Sequence, residues 1–250
     1  MSGYSDLLPE LERIAREAGR IAQRARENFV RELKPDGSVV TNGDREVEVF
    51  LRRELTTLVP GSTVWGEEFG YEEEGPGGLW CVDPVDGTSN YSFGSPLWGV
   101  SIALIVGTRP VLGAIGLPDL RELYLGADGA IVKRNGVPMP PVPPGPVEKH
   151  ELVSYNDHIA RMGQPLPGKM RITGAFVVDA MFMLGQRFRG LIGYREKLYD
   201  MAATALFAQQ LEADLRYADG TKMNIEDLKR DEKIAKPWIM FPRDADFYIR

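Results

Sequence analysis

The sequence predicts a mixed protein with an α+β first half and an α/β second half. Two amphipathic helical patterns come first, short apolar runs separated by turn residues follow, and strand and helix patterns then alternate. The chain has 250 residues, 43% of them apolar, which is enough to bury a sizeable core. Length and composition therefore allow one large domain or two tightly joined subdomains.

Two helices are predicted near the start of the chain by apolar residues at spacings of three and four. Ser5 or Asp6 is placed to cap the first helix, and Pro60-Gly61 ends the second. The apolar face of the first comprises Leu7, Leu11, Ile14, Ala18, Ile21, Ala25 and Phe29. That of the second comprises Val47, Leu51, Leu55 and Leu58.

A sheet is predicted in the first half by apolar runs of strand length. Residues 39–41 are short and extended, and residues 63–65 predict a strand that runs into Gly66-Glu67-Glu68. Farther along, turn residues separate four apolar runs, which is typical of an antiparallel meander. These runs are residues 97–106, 111–117, 120–125 and 130–132.

Residues 138–146 contain six prolines in nine residues, which predicts an extended, semi-stiff connector. We expect it to separate an N-terminal α+β subdomain, residues 1–137, from a C-terminal α/β subdomain, residues 147–250. A proline-rich ligand motif is the rival interpretation, and the position between two structured halves favours the connector. The second half predicts strands at residues 151–155, 170–173, 191–194 and 238–241, and helices at 176–186 and 198–211.

Charge and cysteine content exclude several classes of protein. A net charge of −6 and a pI near 5.2 argue against a general nucleic-acid-binding protein. The single cysteine, Cys81, excludes a disulfide framework within the chain, so we expect a cytoplasmic protein. No apolar stretch reaches 18 residues and the N-terminus lacks a signal-peptide pattern, so we expect no membrane association.

The stretch WCVDPVDGTSNY, residues 80–91, places two carboxylates close together after an apolar run. Asp83, Asp86 and the Val85 carbonyl between them can converge on one point. Carboxylate and carbonyl oxygens are the ligands that Mg²⁺ prefers. The backbone N–H groups of Gly87 and Thr88, in the turn that follows, are suited to holding a phosphate. This stretch predicts a metal-dependent site for a phosphate ester.

Two more acidic residues stand at the ends of predicted elements. Glu67 ends a strand and Asp200 opens a helix. Either one alone fits a surface carboxylate or a helix cap. Burying Asp83 and Asp86 after an apolar run, however, costs several kcal/mol unless a cation compensates their charge. A metal site that gathers all four carboxylates is therefore favoured over isolated surface charges.

Four spaced motifs resemble those of the inositol monophosphatase family of Mg²⁺-dependent, lithium-sensitive phosphatases, and they occur in the family's order. They are KPDGSVVTNGD at residues 34–44, GEE at 66–68, residues 80–91, and YDMAA at 199–203. The resemblance implies the layered αβαβα sandwich of the inositol monophosphatase and fructose-1,6-bisphosphatase type. In it the two subdomains form one catalytic domain, and the protein is a homodimer.

The resemblance also implies a role for each matched residue. Two to three Mg²⁺ ions, for which Mn²⁺ can substitute, would be held by Glu67, Asp83, the Val85 carbonyl, Asp86 and Asp200. Thr88 and Asp44 would orient and deprotonate a metal-activated water, and Glu67 completes the implied catalytic set. The implied substrate-binding residues are Asp86, Gly87, Thr88, Asp200 and Lys34, the last on a mobile loop.

The implied reaction is hydrolysis of a small phosphomonoester such as inositol 1-phosphate. Phosphomonoesters are among the slowest biological compounds to hydrolyse uncatalysed, and two metal ions can stabilise the attacking and leaving oxygens together. Fructose 1,6-bisphosphate and 3′-phosphoadenosine 5′-phosphate are alternative substrates within the class. A regulatory protein that binds the transcription machinery is the alternative from another class.

Several positions depart from the family pattern, mostly in the substrate half. Gly43 stands for Ala, and Tyr91 for Phe. Gly193 stands where inositol-cleaving members carry a Glu that binds the ring, and residues 174–177 read GAFV instead of Gly-Ser-Ala-Ala. Four arginines in this half predict surface charge or, alternatively, a contact from one of them to a second phosphate. They are Arg171, Arg187, Arg189 and Arg195.

Overall fold

Fourteen strands are found in the described part of the chain, which in this computed structural model comprises residues 3–35, 37–161, 166–224, 228 and 234–245. They are β1 (Arg31–Leu33), β2 (Val39–Thr41), β3 (Thr63–Gly66), β4 (Leu79–Asp86), β5 (Gly99–Val106), β6 (Arg109–Leu117), β7 (Glu122–Ala127), β8 (Lys133–Arg134), β9 (Val137–Pro138), β10 (Leu152–Tyr155), β11 (Lys169–Arg171), β12 (Gly190–Gly193), β13 (Ala213–Tyr217) and β14 (Trp238–Pro242). All but the β1–β2 hairpin belong to two sheets.

The first sheet has seven strands in the order β3-β4-β5-β6-β7-β8-β9. β3 pairs with β4 in parallel, and every other neighbour is antiparallel, which confirms the predicted meander. The second sheet has the order β11-β10-β12-β14-β13, parallel on its β11 side and antiparallel around β14. Both sheets have apolar residues on both faces because helices or loops cover them.

Helices cover the sheets in layers. They are α1 (Leu8–Ala25), α2 (Asn42–Leu58), α3 (Thr88–Ser92), α4 (Asp157–Ala160), α5 (Phe176–Leu184) and α6 (Leu198–Gln210). α1 and α2 pack on one face of the seven-stranded sheet, α5 and α6 lie between the two sheets, and α4 packs on the outer face of the second sheet. The predicted layered αβαβα sandwich is thereby confirmed.

Alternation along the strands of the second sheet shows how one sheet serves two cores. Leu191 and Met240 point into the layer of α5 and α6, whereas their neighbours Ile192 and Ile239 pack on the outer side with Ile159 of α4.

The division of the chain at the proline-rich connector stays a prediction. None of the described helices is both long and apolar enough to cross a membrane.

Three expectations about local structure were wrong or incomplete. Neither Ser5 nor Asp6 caps α1, since a short 3₁₀ turn, Tyr4–Leu7, precedes it and no side chain accepts its first N–H groups. Residues 130–132 are not a strand, because a turn at Gly129 delays pairing until β8. The sequence pattern also missed α3, α4 and β13, which are too short or too evenly half-buried to show a clear period.

Tyr91 and Gly43, which both depart from the family pattern, share one space in the structure. The Tyr91 hydroxyl is buried and donates a hydrogen bond of 2.7 Å to the Ala22 carbonyl of α1. A Cβ at Gly43, in the first turn of α2, would lie only 2.5 Å from that hydroxyl oxygen. The tyrosine oxygen thus occupies the place of the alanine methyl that the family pattern has.

We expect this pair to be strongly non-additive in a double-mutant cycle. Gly43→Ala alone should lower the free energy of unfolding by about 1–3 kcal/mol through overpacking, and Tyr91→Phe alone by about 1 kcal/mol through the lost hydrogen bond. In the Tyr91→Phe background, Gly43→Ala should instead stabilise by about 0.5–1 kcal/mol, since alanine favours a helix over glycine. Urea unfolding of the four proteins measures this, and additive effects would contradict the shared space.

Candidate active site

The end of β4 carries two of the predicted acidic residues on irregular backbone. The pairing of β4 with β5 shifts register between Asp83 and Asp86, at the point where Pro84 cannot donate to the ladder. Asp83 is 2% exposed, and its Oδ1 accepts the Val85 N–H at 2.9 Å. Oδ2 of Asp86 accepts the Val177 N–H at 2.6 Å, from the first turn of α5. Each carboxylate is fixed through one oxygen.

Asp200 comes to the same place from the first turn of α6. Its Oδ2 accepts the Lys197 N–H at 2.7 Å, so it does act as a helix cap, as the simpler interpretation required. Its charge also raises the pKa of Asp83, after burial and the charges of Glu67 and Asp86. The pKa of Asp200 is itself raised by burial and by Asp86. Helix capping and membership of the acidic cluster are therefore compatible.

Glu67 follows β3 and is in contact with Lys34. The Lys34 Nζ lies 3.1 Å from Glu67 Oε1 and 2.6 Å from Glu68 Oε1. Burial acts to lower the pKa of Lys34, but these two carboxylates leave it raised. For Glu68, burial raises the pKa to about 7 despite the lysine. Lys34 is thus a cation in direct contact with Glu67 and Glu68, and its implied place on a mobile loop over the metals stays a prediction.

Asp44 and Thr88 meet at the edge of the cluster. Thr88 Oγ1 lies 3.2 Å from Asp44 Oδ1 and 3.0 Å from the Val85 carbonyl oxygen. Asp44 has no exposed surface, its Oδ2 accepts the Thr41 N–H at 2.9 Å, and burial raises its pKa to about 6. Gly87 precedes Thr88 with φ +81°, in the left-handed region that glycine adopts without strain.

Burial, followed by repulsion from neighbouring acidic groups, dominates the electrostatics of this cluster. Burial and neighbouring acidic charges raise the pKa of Asp83, Asp86 and Asp200, to about 7 for Asp86. In the described residues, no lysine or arginine forms an ion pair with any of the three. Nor do any three acidic, histidine or cysteine side chains of the described residues stand in position to hold a metal ion together. One oxygen of each of Asp83, Asp86 and Asp200 accepts a backbone N–H, and Glu67 contacts Lys34.

The four arginines of the second half do not gather at this cluster. Arg187 pairs with Glu122, and Arg189 donates to the carbonyls of the proline-rich connector, at 2.9 Å to that of Pro143. Arg171 is exposed. Of the four, only Arg195 lines the cavity that lies beside Asp86 and Asp200. This cavity has a volume of about 470 Å³. The cavity gives room for the rest of a ligand held at the acidic cluster.

Sequence reasoning missed Glu48, which fixes the turn that carries Glu67. Glu48 lies on α2 with no exposed surface. Its carboxylate accepts the Glu68 N–H at 2.7 Å, the Phe69 N–H at 3.2 Å and Arg52 Nε at 3.0 Å. A Cβ at Gly66 would lie 2.0 Å from Glu48 Oε1, so the turn and the carboxylate require a glycine there. The sequence did contain a signal for this role, because Glu48 is a charged residue on the apolar face of α2, between Val47 and Leu51.

The layering and the acidic cluster at the end of β4 are consistent with the class that the motifs predict, a phosphatase of the layered αβαβα type. Comparison with known families agrees, since the sequence model described as "Inositol monophosphatase family" matches residues 4–229. The chain therefore belongs to the inositol monophosphatase family, and the resemblance seen in its four motifs is confirmed.

Individual relatives differ in how much of the chain they match. A fructose-1,6-bisphosphatase/inositol-1-monophosphatase of Aquifex aeolicus is 31% identical over 213 residues, 78% of this chain and 79% of that protein. A histidinol-phosphatase of Chlorobaculum parvum is 40% identical over 106 residues, 42% of this chain and about two-fifths (41%) of that protein. The solved structure of an IMPase/NADP phosphatase complexed with Mg²⁺ and phosphate has a TM-score of 0.81 at 20% identity, covering 95% of this chain and 92% of that one. At that identity the structure shows a shared fold.

We expect Glu48→Ala to lower the free energy of unfolding by about 3 kcal/mol, because it leaves Arg52 and two backbone N–H groups without their buried partner. Glu46→Ala, on the exposed side of the same helix, is the control and should change stability by no more than about 0.5 kcal/mol. Guanidinium unfolding measures both variants. Equal effects would contradict the role assigned to Glu48.

Proposed function

We propose that this protein hydrolyses a small phosphomonoester with Mg²⁺ held by Glu67, Asp83, the Val85 carbonyl, Asp86 and Asp200. The observation that carries the proposal is that Asp83, Asp86 and Asp200 are gathered in one place, where burial and neighbouring acidic charges raise the pKa of each, without an ion-pair partner among the described residues. A divalent cation would compensate this buried charge, and the all-oxygen donor set suits Mg²⁺, with Mn²⁺ as a substitute. The Mg²⁺ and phosphate bound by the solved relative support this choice.

Two or three bound Mg²⁺ ions would supply Lewis-acid stabilisation of the phosphoryl oxygens. The chain itself would supply the proton acceptor, since Thr88 Oγ1 lies between the cluster and Asp44 Oδ1. A proton from the attacking water would pass to Thr88 as Thr88 gives its own to Asp44. The raised pKa of Asp44, about 6, suits an acceptor that works near neutral pH.

Binding of the phosphate would use the backbone N–H groups of Gly87 and Thr88, with Asp86 and Asp200 beside them. Lys34 would exchange its contact with Glu67 for one with the substrate phosphate, because a metal ion at Glu67 replaces the charge that the lysine now supplies. A lysine that can move between two anionic partners fits the mobile loop implied by the family resemblance.

The substrate is less well determined than the reaction. Inositol 1-phosphate, fructose 1,6-bisphosphate and 3′-phosphoadenosine 5′-phosphate remain candidates, and the relatives named histidinol-phosphatases add histidinol phosphate. A Cβ at Gly193 would lie 2.2 Å from Trp238 Cζ2, so the ring-binding Glu of inositol-cleaving members does not fit here. The homodimer, the cytoplasmic location and the regulatory alternative stay predictions.

A turnover assay with a panel of these phosphomonoesters tests the proposal. We expect release of inorganic phosphate that requires Mg²⁺, stops with EDTA, returns with Mg²⁺ or Mn²⁺, and is inhibited by Li⁺ as the family resemblance implies. A folded protein that releases phosphate from no member of the panel would overturn the enzyme interpretation. Binding of that protein to a component of the transcription machinery would then favour the regulatory alternative.

Asp86→Asn should reduce turnover by more than about 100-fold, because it removes a charged ligand of the proposed metal site. The fold should persist, since an asparagine oxygen can still accept the Val177 N–H. Without metal, thermal stability should be equal or slightly higher because one repelling charge is gone. Phosphate release and thermal melting in EDTA measure the two effects, and near-normal turnover would show that the metal assignment is wrong.

A further inference from the structure

The cavity beside Asp86 and Asp200 contains two further carboxylates that the proposed reaction does not use. They belong to Asp179 of α5 and Glu196, which precedes α6. Because Asp86 and Asp200 line this cavity, the leaving group of a phosphomonoester bound as proposed would extend into it. Its volume of about 470 Å³ accommodates a substituent of the size of a sugar or an amino alcohol.

Asp179 is a buried carboxylate with an unsatisfied oxygen. The residue is 5% exposed, and its Oδ1 has no hydrogen-bond partner in the described part of the chain. Burial raises its pKa to about 7, although the hydroxyls of Ser154 and Thr173 act in the opposite direction. A buried acceptor of this kind is costly to leave unpaired. Its environment therefore favours a ligand that brings a donor.

Glu196 is held in place without being neutralised. Trp238 Nε1 donates to one of its oxygens at 2.5 Å and Asn156 Nδ2 to the other at 2.7 Å. Both donors are uncharged, and burial raises the pKa of Glu196. Its Oε1 lies 3.0 Å from where a Cβ of Gly193 would be. The Glu196 carboxylate therefore stands close to the position from which the family's ring-binding Glu would arise.

In the described residues, no lysine, arginine or histidine forms an ion pair with Asp179 or Glu196, although His158 and Arg195 also line the cavity. Arg195 lines the cavity, but its guanidinium carbon lies 5.9 Å over the ring of Tyr194 and forms no ion pair with Asp179 or Glu196. Phe176 and Tyr194 add aromatic surface to the wall. Two like charges, uncharged donors and aromatic rings together form a site that attracts cations.

We infer that this cavity recognises a cationic nitrogen, an ammonium or imidazolium, on the leaving group through Asp179 and Glu196. A neutral polyol would donate hydrogen bonds to the same carboxylates but leave their repulsion in place, whereas a cation offsets both charges. A second phosphate would add a third negative charge. The inference rests on the proposed function, and it selects amino-alcohol phosphates over inositol phosphates and sugar bisphosphates.

The test compares histidinol phosphate, inositol 1-phosphate and fructose 1,6-bisphosphate as substrates of the full chain with Mg²⁺. We expect the highest kcat/KM for histidinol phosphate. In Asp179→Asn and in Glu196→Gln, kcat/KM for histidinol phosphate should fall at least about tenfold, mainly through KM, while that for inositol 1-phosphate changes less than about threefold. Asp128→Asn, whose carboxylate pairs with Arg109 away from the cavity, is the control and should change neither.

The possible outcomes separate the two proposals. Phosphate release from none of the three esters would overturn the proposed function and this inference with it. Release with a preference for inositol 1-phosphate or the bisphosphate, or equal losses for all substrates in the two variants, would overturn only the inference. Thermal melting shows whether each variant is folded. If Asp179→Asn does not fold, the result with Glu196→Gln alone decides whether the cavity recognises a cationic nitrogen.

Discussion

Burial of several carboxylates at the end of one strand is the constraint on which the rest of the structure depends. Asp83 is buried and Asp86 and Asp200 are partly buried, and each accepts one backbone N–H, from Val85, Val177 and Lys197 respectively. Two of those N–H groups belong to the starts of α5 and α6. The bond from the Val177 N–H to Asp86 therefore joins the start of α5 to the end of β4, whereas the bond from the Lys197 N–H to Asp200 lies within the start of α6.

Much of the fold could be predicted because its patterns are local. Both long helices of the first half, the meander and most strands of the second sheet follow from apolar periodicity and turn residues. Elements without a local signal were missed. β13 is half-buried at every position, and α4 has four residues, so neither has a period to detect. The cap of α1 was misplaced because a 3₁₀ turn there has no distinctive sequence.

The candidate site likewise has a part that the sequence predicted and a part that it did not. Asp83 to Thr88 form one continuous motif, and Glu67, Asp44 and Asp200 lie in short motifs of their own. These motifs allowed the sequence to predict that the residues belong to one site. Glu48 acts on a turn about 20 residues away, and Asp179 and Glu196 meet only after two sheets and a helix have packed. Such partners are set by tertiary structure. The roles of the motif residues as metal ligands stay predictions.

The shared space of Gly43 and Tyr91 constrains the order in which this lineage could have changed. From the family pattern of alanine and phenylalanine, gaining the tyrosine first would place its hydroxyl on the alanine methyl. Replacing the alanine by glycine first leaves only a small gap and a less stable first turn of α2, a change that a protein tolerates more easily. Glycine at position 43 and tyrosine at position 91 therefore depend on each other, since an alanine methyl at position 43 would meet the hydroxyl.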